Sequence, residues 1–304
     1  MTLRGRTLGY MKSHHLTRQE LAEMLDIRFS HLAKYLDGIP LSGRDTFEAQ
    51  LQAYFLKADL AQSRLNHPDF IETTTARVIL EKCQEADEQK DLALLYGPSG
   101  IGKTFALEEF VARTEQRTDA DKPEVLMVTG HAASSPKSLM VALSRLAGIP
   151  GKFPAAIVAE ALARKLETDH YLIIVDEANH LNLEAMELLR YIYDKGHLGV
   201  VLAGTLRLYE IFTDGSRPAS ELEQLWSRVG ISEMLPGLTE YEGRQVIQRA
   251  LGRIPEVSIK QIIRQTGNSI RRLTKLLERL KKLMEINEGR ELERLVAVAG
   301  CGML

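Results

Sequence analysis

Gly97-Pro98-Ser99-Gly100-Ile101-Gly102-Lys103-Thr104 is a complete G-x-x-x-x-G-K-T octapeptide, and its flanks decide the fold. It follows an apolar, strand-like run, Leu92–Tyr96, and precedes a helical stretch over residues 105–113. Strand, loop and helix in that order are the context a phosphate loop requires. Its glycines let successive backbone N–H groups and a helix N-terminus close on an anion. Gly97, Pro98, Ser99, Gly100, Ile101 and Gly102 are therefore expected to line the phosphates. Lys103 is expected to reach the β- and γ-phosphates of a nucleotide, and the Thr104 hydroxyl to ligate Mg²⁺.

Leu172-Ile173-Ile174-Val175-Asp176-Glu177 supplies a second half to this site. Four apolar residues bury a strand whose C-terminal end delivers two carboxylates, where ligands bind in open α/β sheets. Asp176 is the expected Mg²⁺ ligand, directly or through water, and Glu177 the group that polarises an attacking water. His180 either senses the nucleotide or positions Glu177, or else is a structural histidine at a strand–helix junction. Asn179 takes the third position after Asp176, so the run is not a helicase-style Asp-Glu-Ala-Asp box.

Outward from this pair, apolar runs at residues 92–96, 125–129, 171–175 and 199–203 alternate with longer helical stretches. That rhythm predicts parallel strands with crossover helices, entered through a helix over residues 75–86. Three parts follow: residues 1–65, 66–236 and 237–304. In the first, Thr17-Arg18-Gln19-Glu20 has capping-box spacing, and a second helix starts near Phe29 and stops at Asp37-Gly38. Two short helices about a tight turn predict a helix-turn-helix presenting Arg28, Ser30, His31, Lys34 and Tyr35 outward. A helical hairpin that only packs or oligomerises has the same pattern. The third part reads as helical throughout, with no convincing strand.

The overall charge of −2 argues against a uniformly basic nucleic-acid binder, but the charge is unevenly spread. Residues 1–65 hold nine Lys/Arg against seven Asp/Glu, and residues 241–304 hold thirteen against seven. An acidic body lies between basic ends, and the basic residues between Arg244 and Lys282 suit either phosphate contact with counterion release or a solvated lid that docks on the acidic body of a neighbouring subunit. The stretch 132–154, with Lys137, Arg145 and Lys152, is a second candidate DNA surface, expected as a loop above the sheet. No apolar run reaches the roughly 18 residues of a bilayer span, and residues 1–10 lack the apolar segment of a secretory signal. Cys83 and Cys301 are far apart and read as free thiols of a cytoplasmic protein.

These motifs resemble an AAA+ module: a P-loop α/β sheet with a helical lid, here preceded by a small all-α helix-turn-helix domain. The resemblance implies roles for further residues. Thr205 ends the strand after the Asp-Glu strand and would touch the γ-phosphate or the water. Arg228, in Ser227-Arg228, would complete a neighbour's site, with Arg217 and Arg207 as competitors. Arg271, with Arg272 in reserve, would contact phosphate from a lid helix opened by Gly267-Asn268-Ser269.

The likeness sharpens over nearly the whole chain. The 69–73 strip, the phosphate loop, Val175-Asp176-Glu177-Ala178-Asn179-His180-Leu181, Val201-Leu202-Ala203-Gly204-Thr205-Leu206-Arg207-Leu208-Tyr209 and Ser227-Arg228 are similar to the phage Mu B-type transposition ATPases. The chain departs from them at Asn179, where an acid is expected, and at Thr205, where Asn is expected. That resemblance implies a five-stranded parallel sheet and Mg²⁺-dependent ATP hydrolysis. It also implies an ATP-dependent helical homo-oligomer on duplex DNA of little sequence preference, and a DDE transposase as partner. An ATP-responsive helix-turn-helix transcription regulator is the alternative. A secretion-associated ATPase would carry a membrane span or wall-binding segment, and neither is visible.

Overall fold

The structure is a computed structural model that describes residues 2–13, 16–25, 27–65, 70–118, 121–131, 134–149, 155–213, 224–287 and 291–301. The chain divides into two compact units. One gathers Met1–His67, Ser134–His170 and Glu184–His197, and the other Pro68–Ala133, Tyr171–Leu183 and Leu198–Leu304.

The first unit begins with four helices, α1 (Leu3–Ser13), α2 (Arg18–Met24), α3 (Phe29–Asp37) and α4 (Arg44–Leu65). The expected capping box opens α2: the Thr17 amide and hydroxyl donate to Glu20 Oε2, each at 2.7 Å, and the Glu20 amide donates back to Thr17 Oγ1 at 3.2 Å. Gly38, left-handed at φ +78°, ends α3 where the sequence predicts a stop. Leu21, Leu32, Leu36, Phe47, Leu51 and Phe55 form the core of these helices. Arg28, Ser30 and Lys34 are exposed, but Tyr35 is buried, which corrects its expected outward orientation. Its ring packs on Phe47 at 5.1 Å, because an aromatic face gains more from apolar cover than its hydroxyl loses.

Residues 132–154 are not one loop either. Ser135 caps α7 (Pro136–Leu146) with proline in the first turn. That signal, followed by apolar residues at helical spacing, outweighs the loop-like Ser135-Pro136 start. Lys137 is exposed in this first turn, and Lys152 lies outside the described residues. Two more helices, α8 (Ala155–Thr168) and α9 (Leu183–Gly196), follow in sequence.

The second unit is built on a parallel sheet of five strands, β1 (Leu92–Tyr96), β2 (Glu124–Thr129), β3 (Tyr171–Asp176), β4 (Gly199–Gly204) and β5 (Val229–Met234). Their spatial order is β2-β3-β4-β1-β5. Every residue of β3 and β4 is buried, as continuous apolar runs require when both faces are covered. Helices α5 (Thr74–Gln89) and α6 (Lys103–Gln116) pack on this sheet through Ile79, Cys83, Leu107 and Phe110. Another, α10 (Leu206–Thr213), follows β4. The lid holds α11 (Glu240–Leu251), α12 (Glu256–Thr266), α13 (Ile270–Ile286) and α14 (Leu292–Gly300) around Ile247, Ile262, Leu273, Leu276, Leu280 and Val296. Among the described residues no helix is long and apolar enough to cross a membrane.

One carboxylate serves two of these helices. Glu242 Oε2 accepts the Thr239 amide at 2.8 Å, closing a capping box on α11, while Oε1 accepts the Thr74 amide in the first turn of α5. Partial burial raises its pKa, yet the hydrogen bonds from Thr239 and Thr74 win, holding the carboxyl below its ordinary value. A depressed folded-state pKa adds stability above the ordinary carboxylate range, lost as pH falls through the folded value. Glu242→Ala should therefore cost about 1–2 kcal/mol at neutral pH. Thermal melts of both proteins should show the gap in midpoint narrowing as the solution is acidified below the carboxylate range. An undiminished gap there would refute the ionic cap.

Candidate active site

The phosphate loop joins β1 to α6. Gly100 and Gly102 both adopt left-handed backbone, at φ +79° and +96°, and Gly102 forms the N-cap of α6 without any side-chain cap. The first-turn N–H groups of α6 are thus left for an anion. Lys103 is 5 % exposed, and its Nζ donates to the carbonyls of Gly97 (3.0 Å) and Pro98 (2.8 Å), so the side chain arches over its own loop. Burial lowers its pKa, opposed by the nearby Glu177 and Asp176 carboxylates and assisted by the Arg271 charge.

β3 delivers the carboxylates to the same place. Asp176 is 1 % exposed and accepts the Thr104 hydroxyl at 2.5 Å on Oδ2 and the Glu177 amide at 2.9 Å on Oδ1. Burial foremost raises its pKa, with the Thr104 and Glu177 hydrogen bonds opposing. A hydroxyl and a carboxylate oxygen side by side form a donor pair suited to Mg²⁺, which takes few protein oxygens and completes its shell with phosphate and water. Glu177 itself has left-handed backbone (φ 49°, ψ 37°), a conformation uncommon outside glycine. Its carbonyl is the reason for Gly130 after β2: a Cβ there would stand 2.6 Å from that oxygen. His180 Nε2 lies 4.0 Å from Glu177 Oε2.

Asn179 is buried, and its Oδ1 accepts the Thr205 amide at 2.8 Å. This bond fixes the end of β4 beside the Asp176–Glu177 turn, a role the sequence does not reveal. From the lid, the Arg271 amide (3.1 Å) and the Ser269 hydroxyl (3.3 Å) both donate to the Gly100 carbonyl. Arg271, not Arg272, is thus the residue whose backbone meets the loop. The structure brings together Gly97–Thr104, Asp176, Glu177, Thr205 and Arg271. Arg228 sits just before edge strand β5, its Nη1 donating to the carbonyl of Gln224 at 2.6 Å. Arg207 is exposed in the first turn of α10, and Arg217 lies outside the described residues.

Comparison with known proteins agrees with this geometry. The AAA domain family matches residues 86–212. The Mu-like prophage FluMu DNA transposition protein B of Haemophilus influenzae is 32 % identical over 282 residues, 90 % of this chain and 94 % of that protein. The chain belongs to the Mu-type transposition protein B family. A further member, the ATP-dependent target DNA activator B of Escherichia phage Mu, is 33 % identical over 183 residues, covering 59 % of this chain and 54 % of the phage protein. Among solved structures, the Aeropyrum pernix ORC2 protein superimposes with a TM-score of 0.56 at 20 % identity, over 75 % of this chain and 66 % of that one. The Aeropyrum pernix ORC1 protein, solved in complex with DNA, gives 0.56 at 19 % identity over 78 % and 68 %. Both likenesses agree with the AAA+ fold of this chain and its five-stranded parallel sheet.

Proposed function

We propose that the chain is an ATP-dependent, DNA-binding ATPase that assembles on duplex DNA, selects it as a transposition target and activates a DDE transposase. What carries the reading is the similarity to a transposition protein B along nine-tenths of the chain, with an assembled phosphate site inside it. Residues 66–236 would hydrolyse ATP, residues 237–304 close over it, and residues 1–65 add a DNA contact.

Within the site, Lys103 would leave the loop carbonyls for the β- and γ-phosphates, and Arg271 would meet them from the lid. Thr104 and Asp176 would hold Mg²⁺, which supplies charge stabilisation to the transferring phosphoryl group. Glu177 would accept a proton from the attacking water, and Thr205 would help to place that water near the γ-phosphate. Arg228 would act on the site of the adjoining subunit, making turnover depend on assembly. A soluble cytoplasmic setting fits these partners.

For DNA, the support lies in exposed positive charge on the lid. Arg272, Lys275, Arg279 and Lys282 are exposed at i, i+3, i+7 and i+10 along one face of α13, a stripe about 15 Å long. Arg28, Lys34 and Lys137 are also exposed. Arg244 is better left out, since Glu240 (2.8 Å) and Glu256 (2.7 Å) hold its guanidinium. Binding to unrelated duplexes, measured by gel shift, should require ATP, show little sequence preference and weaken steeply with salt. Replacing the four α13 residues by Gln should flatten the slope of log affinity against log salt by roughly 0.9 for each phosphate no longer neutralised. Arg28→Ala with Lys34→Ala should weaken binding without abolishing ATP-dependent assembly. One strongly preferred sequence bound without nucleotide would overturn the reading in favour of a transcription regulator.

A further inference from the structure

Four aromatic rings gather in the second unit outside its buried core. Tyr96, Tyr209, Phe212 and Trp226 are each only half-buried, so filling an interior does not explain them. Tyr96 stacks on Tyr209 with centroids 4.5 Å apart and planes 19° from parallel. Tyr209 meets Trp226 edge-on at 6.1 Å, and Phe212 lies 5.7 Å from the same indole. Tyr209 and Phe212, three residues apart, are neighbours on one face of α10 and grip the indole together.

What distinguishes the stack is where its rings are attached. Tyr96 is the last residue of β1, directly before Gly97 of the phosphate loop. Tyr209 lies one turn beyond Thr205, whose amide is fixed by Asn179. Trp226 stands two residues before Arg228, at the end of a helical segment that runs into a turn at Ser227 and Arg228. This turn is pinned by the fully buried Leu225, whose carbonyl accepts the Arg228 amide at 3.1 Å. Offset and edge-on ring contacts have defined geometry, so moving one ring displaces the next rather than sliding past it.

We infer that Tyr209 and Trp226 are positioning residues that couple the phosphate loop and the end of β4 to the placement of Arg228. The inference rests on the proposed role of Arg228 and adds how nucleotide at one site sets that arginine toward the next. Trp226 is the chain's single tryptophan, so its fluorescence reports this turn alone. In the full-length protein, ATP with Mg²⁺ should shift the Trp226 emission. Tyr209→Leu should abolish the shift and lower DNA-stimulated hydrolysis by roughly 3- to 30-fold, with ATP affinity kept within about twofold. Tyr209→Phe, which retains the ring, should restore both. A merely structural role would instead lower ATP affinity and melting temperature together. Absence of an ATP-dependent emission change in the wild type, or Tyr209→Leu hydrolysing at the wild-type rate, overturns the coupling. Arg228→Ala, assayed alongside, separates the two ideas. Normal turnover in that variant removes the role of Arg228 itself, whereas loss there with normal Tyr209→Leu turnover removes only the coupling.

Discussion

Glu177→Gln should lower ATP turnover by roughly 10²- to 10⁴-fold while ATP stays bound, because an amide cannot take up the proton of the attacking water. Lys103→Ala should fail differently. It removes the charge proposed to meet the phosphates and also the two hydrogen bonds by which Lys103 holds the Gly97 and Pro98 carbonyls. Weakening of ATP binding by roughly 10- to 100-fold is expected from the charged interactions alone. Nucleotide titration and turnover measured on both variants separate the roles. If ATP-arrested Glu177→Gln also forms longer-lived DNA complexes than wild type, hydrolysis is the step that releases DNA. Equal loss of turnover with unchanged ATP affinity in both variants would contradict the assignments.

The second large effect is expected at Arg228. A guanidinium supplied to a neighbour's transition state is worth roughly 10³- to 10⁵-fold in rate. Arg228→Ala should therefore bind ATP normally and lose DNA-stimulated hydrolysis. Mixing it with Lys103→Ala protein should restore part of the activity, since one composite site between the two variants is intact. No rescue at any ratio, with co-assembly demonstrated, would exclude the trans role and turn attention to Arg207 and Arg217.

The sequence and the structure agree most closely where local rules act alone. The phosphate loop, the Asp176–Glu177 strand end, the Thr17–Glu20 capping box and the Gly38 stop are all local patterns, and each stands where its residues predict. Of the sheet, only β5 is illegible from the residues, although the family likeness implies a fifth strand. Val229–Met234 is an edge strand with a single buried residue, Ile231, so it lacks the apolar run that marks β3 and β4. Interactions made at long sequence range are not legible either. Glu242 reaching Thr74, Asn179 holding Thr205, and Gly130 yielding to the Glu177 carbonyl join segments that no local pattern relates. Tyr35 defeats a local reading because amphipathic aromatics suit a surface or a core equally well until a neighbour such as Phe47 is placed.

The bond between Asn179 and residue 205 also bears on the two positions where the likeness to the phage Mu B-type ATPases implies a different residue. Asn179 accepts from the backbone amide of Thr205, not from its hydroxyl. Every residue except proline offers that amide, and an aspartate at 179 would present the same acceptor oxygen with added charge. The side chain at 205 can therefore change without disturbing its support, and the support can change without dictating that side chain. An exchange at either position needs no compensating exchange at the other.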